Sequence, residues 1–172
     1  ITHANIVPQG GTISGSSSVV QLDAWNWEDA AYASDNGIHM NIPALYNRPS
    51  RFGGFGGGQG PQVDPLKRGL EQIEEIKDFF RAAKAYNDQA VKTQTNIKFQ
   101  AVEGLFNKKQ KLYIRCNVVR EILAAIDFKT EFGFDVVLVG AAESYQLGDI
   151  LKRNNIPVIL SQMHALPTLA DD

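Results

Sequence analysis

Three polar residues follow strand-like segments in the last third of the sequence: Arg115, Glu143 and His164. The carboxyl ends of parallel strands meet at one edge of a sheet, so these side chains could converge on one cleft. A guanidinium fork suits a carboxylate or a phosphate. We therefore expect a pocket for an acidic ligand, or an ion pair between Arg115 and Glu143. Alternatively, all three are surface residues on ordinary loops.

The elements that would position these residues alternate regularly. Two nearly continuous apolar runs and one mixed strand are separated by segments of helical periodicity. The predicted strands are Leu112–Cys116, Asp135–Val139 and Pro157–Leu160, and the predicted helices are Val118–Phe132 and Ser144–Asn154. This order predicts a parallel sheet with two crossover helices.

The rest of the chain adds further elements of both kinds. Asp64 is a suitable N-cap and Pro65 a suitable first residue for a long amphipathic helix. A shorter helix is expected over Asn96–Phe106, and strands are expected over Ile1–Val7, Val19–Asp23 and Gly37–Pro43. Together these elements predict an α/β fold with a parallel sheet of five or six strands and surrounding helices.

Two segments are rich in glycine. Residues 8–18 are expected to form a tight turn; the alternative is an anion cradle, although the segment lacks the Lys-Ser/Thr ending of a phosphate-binding loop. Residues 51–60 contain six of the fifteen glycines. We expect a flexible insertion over residues 51–62, which is either a plain surface loop or a lid over a site.

The composition narrows the class of function. Seventeen Lys and Arg against nineteen Asp and Glu give a net charge of −2, so no nucleic-acid partner is expected. Cys116 is the single cysteine, and the three histidines show no local metal-ligand spacing. No apolar run approaches the ~18 residues of a membrane span. A small-molecule ligand remains the expected partner.

Several segments resemble the amidohydrolase superfamily, in its imidazolonepropionase-like branch. The residues that carry the resemblance lie in four segments: 7–29, 96–117, 135–144 and 157–167. The family fold is a (β/α)8 barrel, which needs about 250 residues. The resemblance therefore implies that residues 1–172 form one incomplete barrel domain. It also implies that the rest of a polypeptide, or self-association, covers the open barrel edges.

The same resemblance implies how the chain departs from the family pattern. Arg115 and Gly140 stand where the family carries metal-binding histidines on two successive strands. Arginine does not ligate a divalent cation, and glycine has no side chain. We therefore expect no metal site or metal cofactor in this chain, although zinc or another divalent metal is possible in the full-length family. No catalytic residue can be assigned.

Two functions follow from the resemblance and stay open. The first is a portion of a metal-dependent hydrolase that acts on C–N bonds other than peptide bonds, with this chain inactive alone. The second is a non-catalytic barrel relative, a binding or structural domain that has lost its metal site. The resemblance also suggests an exported or periplasmic protein.

Overall fold

The computed structural model describes residues 2–46, 64–89 and 95–161. These residues form a six-stranded sheet in which each strand pairs with its neighbour in sequence order. The strands are β1 (His3–Ile6), β2 (Ile13–Gln21), β3 (Ala31–Asn41), β4 (Lys111–Cys116), β5 (Val136–Gly140) and β6 (Val158–Ile159).

The sheet has two parts that differ in strand direction. Strands β1 to β3 are antiparallel, whereas β3 to β6 are parallel. The parallel part is the predicted one, and the sheet curls as half of a barrel with helices around it. The predicted partial barrel is therefore confirmed, but the prediction that all five or six strands are parallel is wrong, because only four of the six strands run parallel.

Helices lie between the strands, and those that connect the parallel strands cover one face of the sheet. They are α1 (Trp27–Ala30), α2 (Pro65–Asn87), α3 (Ile97–Ala101), α4 (Glu103–Phe106), α5 (Val119–Phe132) and α6 (Gly148–Arg153), with a 3₁₀ turn at Ser144–Leu147. Asp64 caps α2 by accepting a hydrogen bond from the Leu66 N–H at 3.0 Å. Gly133 ends α5 in the left-handed conformation, as the sequence predicts.

The hydrophobic core lies between the helices and one face of the sheet, here called the outer face. Alternate residues of the strands point to it because side chains alternate along a strand. The aromatic rings of α2, α5 and the segment before β5 pack edge to face around Phe80, which is fully buried. The largest buried core side chains are Phe80, Phe128, Phe134, Ile38, Met40, Leu105, Leu112, Ile114, Ile122 and Leu138.

Ion pairs join α2 to α5 at the surface of the helix layer. Glu131 of α5 accepts from Lys77 at 3.1 Å and from Arg81 at 2.6 Å. Such exposed pairs contribute little individually, so packing rather than charge holds the two helices together.

The N-terminal region corrects the prediction most clearly. The expected tight turn over residues 8–18 is wrong, because residues 13–21 form β2 and pair with β3. Irregular register at Ile13–Gly15 and Ser17–Val20 lets the Gly/Ser-rich strand bend, and serine side chains bond across the pair. Residues 13–18 thus belong to a bulged antiparallel strand, and residues 8–12 form the connection between β1 and β2.

Two predicted helices are each divided in the structure. The segment 96–106 splits into α3 and α4 at Val102, and 144–154 begins as a 3₁₀ turn before α6. The glycine-rich insertion predicted at 51–62 lies outside the described residues. Over the described ranges, no helix combines the length and apolar character needed to cross a membrane.

Candidate functional site

The candidate site lies on the sheet face opposite the helices, here called the inner face. Four of its residues are polar and lie on two neighbouring strands: His39 and Asn41 on β3, and Tyr113 and Arg115 on β4. His39 is opposite Tyr113, and Asn41 is opposite Arg115. The polar side chains therefore form two adjacent rows near the carboxyl ends of parallel strands, where barrel sites lie.

A stacked ring pair forms the first row. The rings of His39 and Tyr113 lie 4.5 Å apart between centroids and are nearly parallel, at 3°. Gly37 makes the arrangement possible, because a Cβ there would lie 2.3 Å from Cε2 of Tyr113. The missing side chain at Gly37 thus leaves the space in which the Tyr113 ring rests on β3.

His39 is buried but not satisfied. Its side chain is 3% exposed, and neither ring nitrogen has a hydrogen-bond partner among the described residues. Burial lowers the pKa of His39, and the nearby positive charge of Arg115 lowers it further. The imidazole is therefore neutral at pH 7, with one N–H donor and one nitrogen acceptor left unused.

Arg115 occupies the second row. It pairs in register with Asn41 on one side and with Val139 on the other, so neither direct neighbour carries a negative charge. The Asn41 amide donates to the Gly11 carbonyl at 2.6 Å and to the Ser14 hydroxyl at 3.2 Å. Within the described part of the chain, the half-buried Arg115 guanidinium forms no ion pair and no hydrogen bond.

Glu143 does not pair with Arg115, so the predicted ion pair is not formed. Its carboxylate accepts a hydrogen bond from the Val119 N–H at 2.7 Å, at the N-terminus of α5. Glu121 accepts from the Asn117 N–H at 2.8 Å at the same helix end. Carboxylates are favourable at a helix N-terminus because the free N–H groups there are electropositive. Both acids therefore stabilise α5 and its loop.

Gly140 ends β5 in a conformation that disfavours any side chain. Its φ is +91°, and a Cβ would lie 2.7 Å from Oδ1 of Asn117 and 3.1 Å from the Cys116 carbonyl oxygen. The backbones of β4 and β5 approach closely here, since the Ala141 N–H donates to the same carbonyl at 2.6 Å. A histidine at position 140 would be strained in this backbone conformation, and its Cβ would lie too close to Asn117 and to the Cys116 carbonyl oxygen.

The fold is similar to that of a solved structure. The crystal structure of an amidohydrolase from Thermotoga maritima MSB8 superposes with a TM-score of 0.67 at 20% sequence identity. The match covers 94% of this chain and 42% of that chain, so the chain spans less than half of that protein. No family model matches the sequence. No curated protein matches it either. The likeness supports an amidohydrolase-like fold.

The donor set does not fit the metal that the amidohydrolase resemblance implies. Among residues 2–46, 64–89 and 95–161, no group of three or more His, Cys, Asp or Glu side chains could hold a metal ion. On β4 and β5 the inner-face positions near the site carry Arg115 and Val139. The described residues therefore do not by themselves assemble a set of metal ligands.

Cys116 offers no nucleophile. Burial raises the pKa of its thiol to about 12, and the negative charge of Glu121 adds to the shift. A protonated, buried thiol is chemically inert at pH 7.

Sequence reasoning found one of the inner-face residues and missed the others. Arg115 lies on the inner face as expected, Glu143 lies at the α5 N-terminus, and His164 lies outside the described residues. The sequence shows His39 only as one of three histidines without local metal-ligand spacing. The available signal was the strand alternation in residues 37–41, where Ile38 and Met40 face the core and His39 must face away.

Proposed function

We propose that this chain forms part of an amidohydrolase-like hydrolase that acts on C–N bonds other than peptide bonds. The observation that carries the proposal is the polar inner face of a partial barrel whose fold matches an amidohydrolase. Polar side chains at the carboxyl ends of parallel strands form the sites of barrel enzymes. Here those side chains are His39, Tyr113 and Arg115.

The described residues have a binding role in this proposal. Arg115 presents an unpaired cation, and neutral His39 presents one donor and one acceptor next to it. Among the described residues, neither side chain forms a hydrogen bond or an ion pair with an acid or a base that would activate water. The groups that perform hydrolysis therefore come from outside the described residues, and we expect the 172-residue chain to be inactive alone.

A panel of small amides tests the hydrolase proposal. The longest polypeptide that contains this sequence is incubated with a cyclic amide, a cyclic urea and a dipeptide, and products are followed by NMR. We expect turnover of one of the cyclic substrates and none of the dipeptide. Equal turnover of the dipeptide, or no turnover by protein loaded with zinc, would contradict the proposal.

The second candidate is a non-catalytic barrel relative that binds a ligand or serves as a structural domain. Two observations favour it: the described residues lack a metal-donor cluster, and Gly140 has a backbone conformation that disfavours a histidine. The metal content of the same purified polypeptide distinguishes the candidates. Stoichiometric zinc with turnover supports the hydrolase; ligand binding without metal or turnover supports the relative.

A further inference from the structure

We propose that Arg115 binds the carboxylate of a small monoanionic ligand on the inner face, with the ligand's apolar part against Val139. The inference rests on the proposed function for the place of the site, and adds the chemical class of the ligand. The proposal is based on the positive charge of Arg115, whose neighbours across the sheet, Asn41 and Val139, are both neutral.

The charge of Arg115 has no internal counterpart in the described chain. Two carboxylates that follow the strand ends, Glu121 and Glu143, both accept hydrogen bonds at the N-terminus of α5. The residues paired with Arg115 across the sheet are Asn41 and Val139. A half-buried guanidinium with neutral neighbours is stabilised by an external anion, because its partial loss of water is otherwise uncompensated.

The surroundings favour a carboxylate over a phosphate. A doubly charged phosphate is usually held by several cations or a row of backbone N–H groups. The described inner face provides one guanidinium, because the facing groups near it are a neutral imidazole and the Tyr113 phenol. On the other side of Arg115, the row continues with Val139 and Ile159, which are apolar. A single carboxylate on a short apolar chain matches this order.

Matched probes test the ligand class directly. Hexanoate, the neutral hexanamide and inorganic phosphate are titrated into the polypeptide that contains this chain, and binding is followed by NMR. We expect hexanoate to bind about tenfold or more tightly than hexanamide and more tightly than phosphate, since hydrogen bonds to charged groups are the stronger ones. Tighter binding of phosphate would overturn the carboxylate assignment.

Substitutions of Arg115 test whether hexanoate binds at this residue. Arg115→Gln should weaken hexanoate binding about tenfold, to the level of hexanamide. Arg115→Lys keeps the charge without the fork and should give an intermediate loss. Arg120→Gln removes an exposed arginine from α5 and should leave binding unchanged. Unchanged hexanoate binding by both Arg115 variants would overturn the proposal.

The pKa of His39 gives a readout that does not depend on affinity. His39 faces Tyr113 and Arg115, and the guanidinium opposes its protonation. A carboxylate bound to Arg115 should therefore raise the pKa of His39 in the wild type. If hexanoate binds and leaves this pKa unchanged, it binds elsewhere and the proposal fails.

The outcomes separate this inference from the proposed hydrolase. Turnover of a neutral cyclic amide without hexanoate binding leaves the hydrolase in place and removes the ligand class. Hexanoate binding at Arg115 without any turnover supports the ligand class and contradicts the hydrolase.

Discussion

The two faces of the sheet differ in how completely their side chains are matched. On the outer face, Ile114 and Leu138 belong to a hydrophobic core that includes the aromatic rings of the helix layer. On the inner face, His39 is buried with both ring nitrogens unused, and Arg115 has no described counterion. The outer face therefore carries the stability of the fold. The inner face tolerates unfavourable electrostatics, as expected of a surface kept for a ligand.

Removing a core ring should have the largest effect of any change discussed. Phe80 contacts Phe128, Phe132 and Phe134 and is fully buried, so Phe80→Ala should cost about 3–5 kcal/mol in the free energy of unfolding. Leu70→Ala on the same helix is the control, because Leu70 is largely exposed and should change it by about 0.5 kcal/mol or less. Equal losses in urea unfolding would contradict the outer face as the stabilising one.

The end of β5 gives the next largest effect. Gly140→Ala introduces a Cβ at φ +91° against Asn117 and should cost about 1–3 kcal/mol. Gly148→Ala is the matched control: nothing lies within 4 Å of its Cβ and its φ is helical, so it should be neutral or stabilising. A neutral Gly140→Ala would show that a family-type histidine could be accommodated there after all.

On the inner face, a substitution should stabilise rather than destabilise. His39→Phe keeps a ring against Tyr113 and removes two unpartnered nitrogens, so it should raise the free energy of unfolding by about 1 kcal/mol at pH 7. Thermal and urea unfolding measure the change. A loss of stability would mean that the His39 nitrogens are satisfied and that the contrast between the two faces is wrong.

The same residue predicts a pH dependence. Because the folded-state pKa of His39 is lowered, the unfolded chain binds more protons below pH 6.5. Wild-type stability should therefore be complete above about pH 6.5 and should fall as the pH decreases towards the folded-state pKa. His39→Phe should flatten the dependence in that window. A wild-type profile that is flat there would contradict the lowered pKa.

The parts of the fold that leave a local pattern in the sequence could be predicted, and the parts that depend on long-range pairing could not. The parallel strands were readable because both faces of a strand such as β5 are apolar, which few other elements are. Strand β2 was missed because its serines and glycines resemble a turn, and only pairing with β3 makes them a strand. Local periodicity holds no information about that long-range pairing.

The site was less predictable than the fold. Arg115 lies near the carboxyl end of β4, as the sequence predicts, because the strand pattern itself is a local signal. The role of Glu143 depends on the loop after β5 lying next to the N-terminus of α5. This is a tertiary contact between residues that are 24 positions apart in the sequence. The stack of Tyr113 on His39 depends on the empty space at Gly37 in a paired strand. Neither distance can be read from spacing along the chain.

The pKa of His39, measured by NMR in the wild type and in Arg115→Gln, tests the unmatched charge on the inner face most directly. In the wild type it should lie below the ordinary 6.5, since burial and the guanidinium both oppose protonation. In Arg115→Gln it should rise but stay below that value, because burial remains. An ordinary pKa in the wild type, or no change on removing the guanidinium, would contradict a site built around Arg115 and His39.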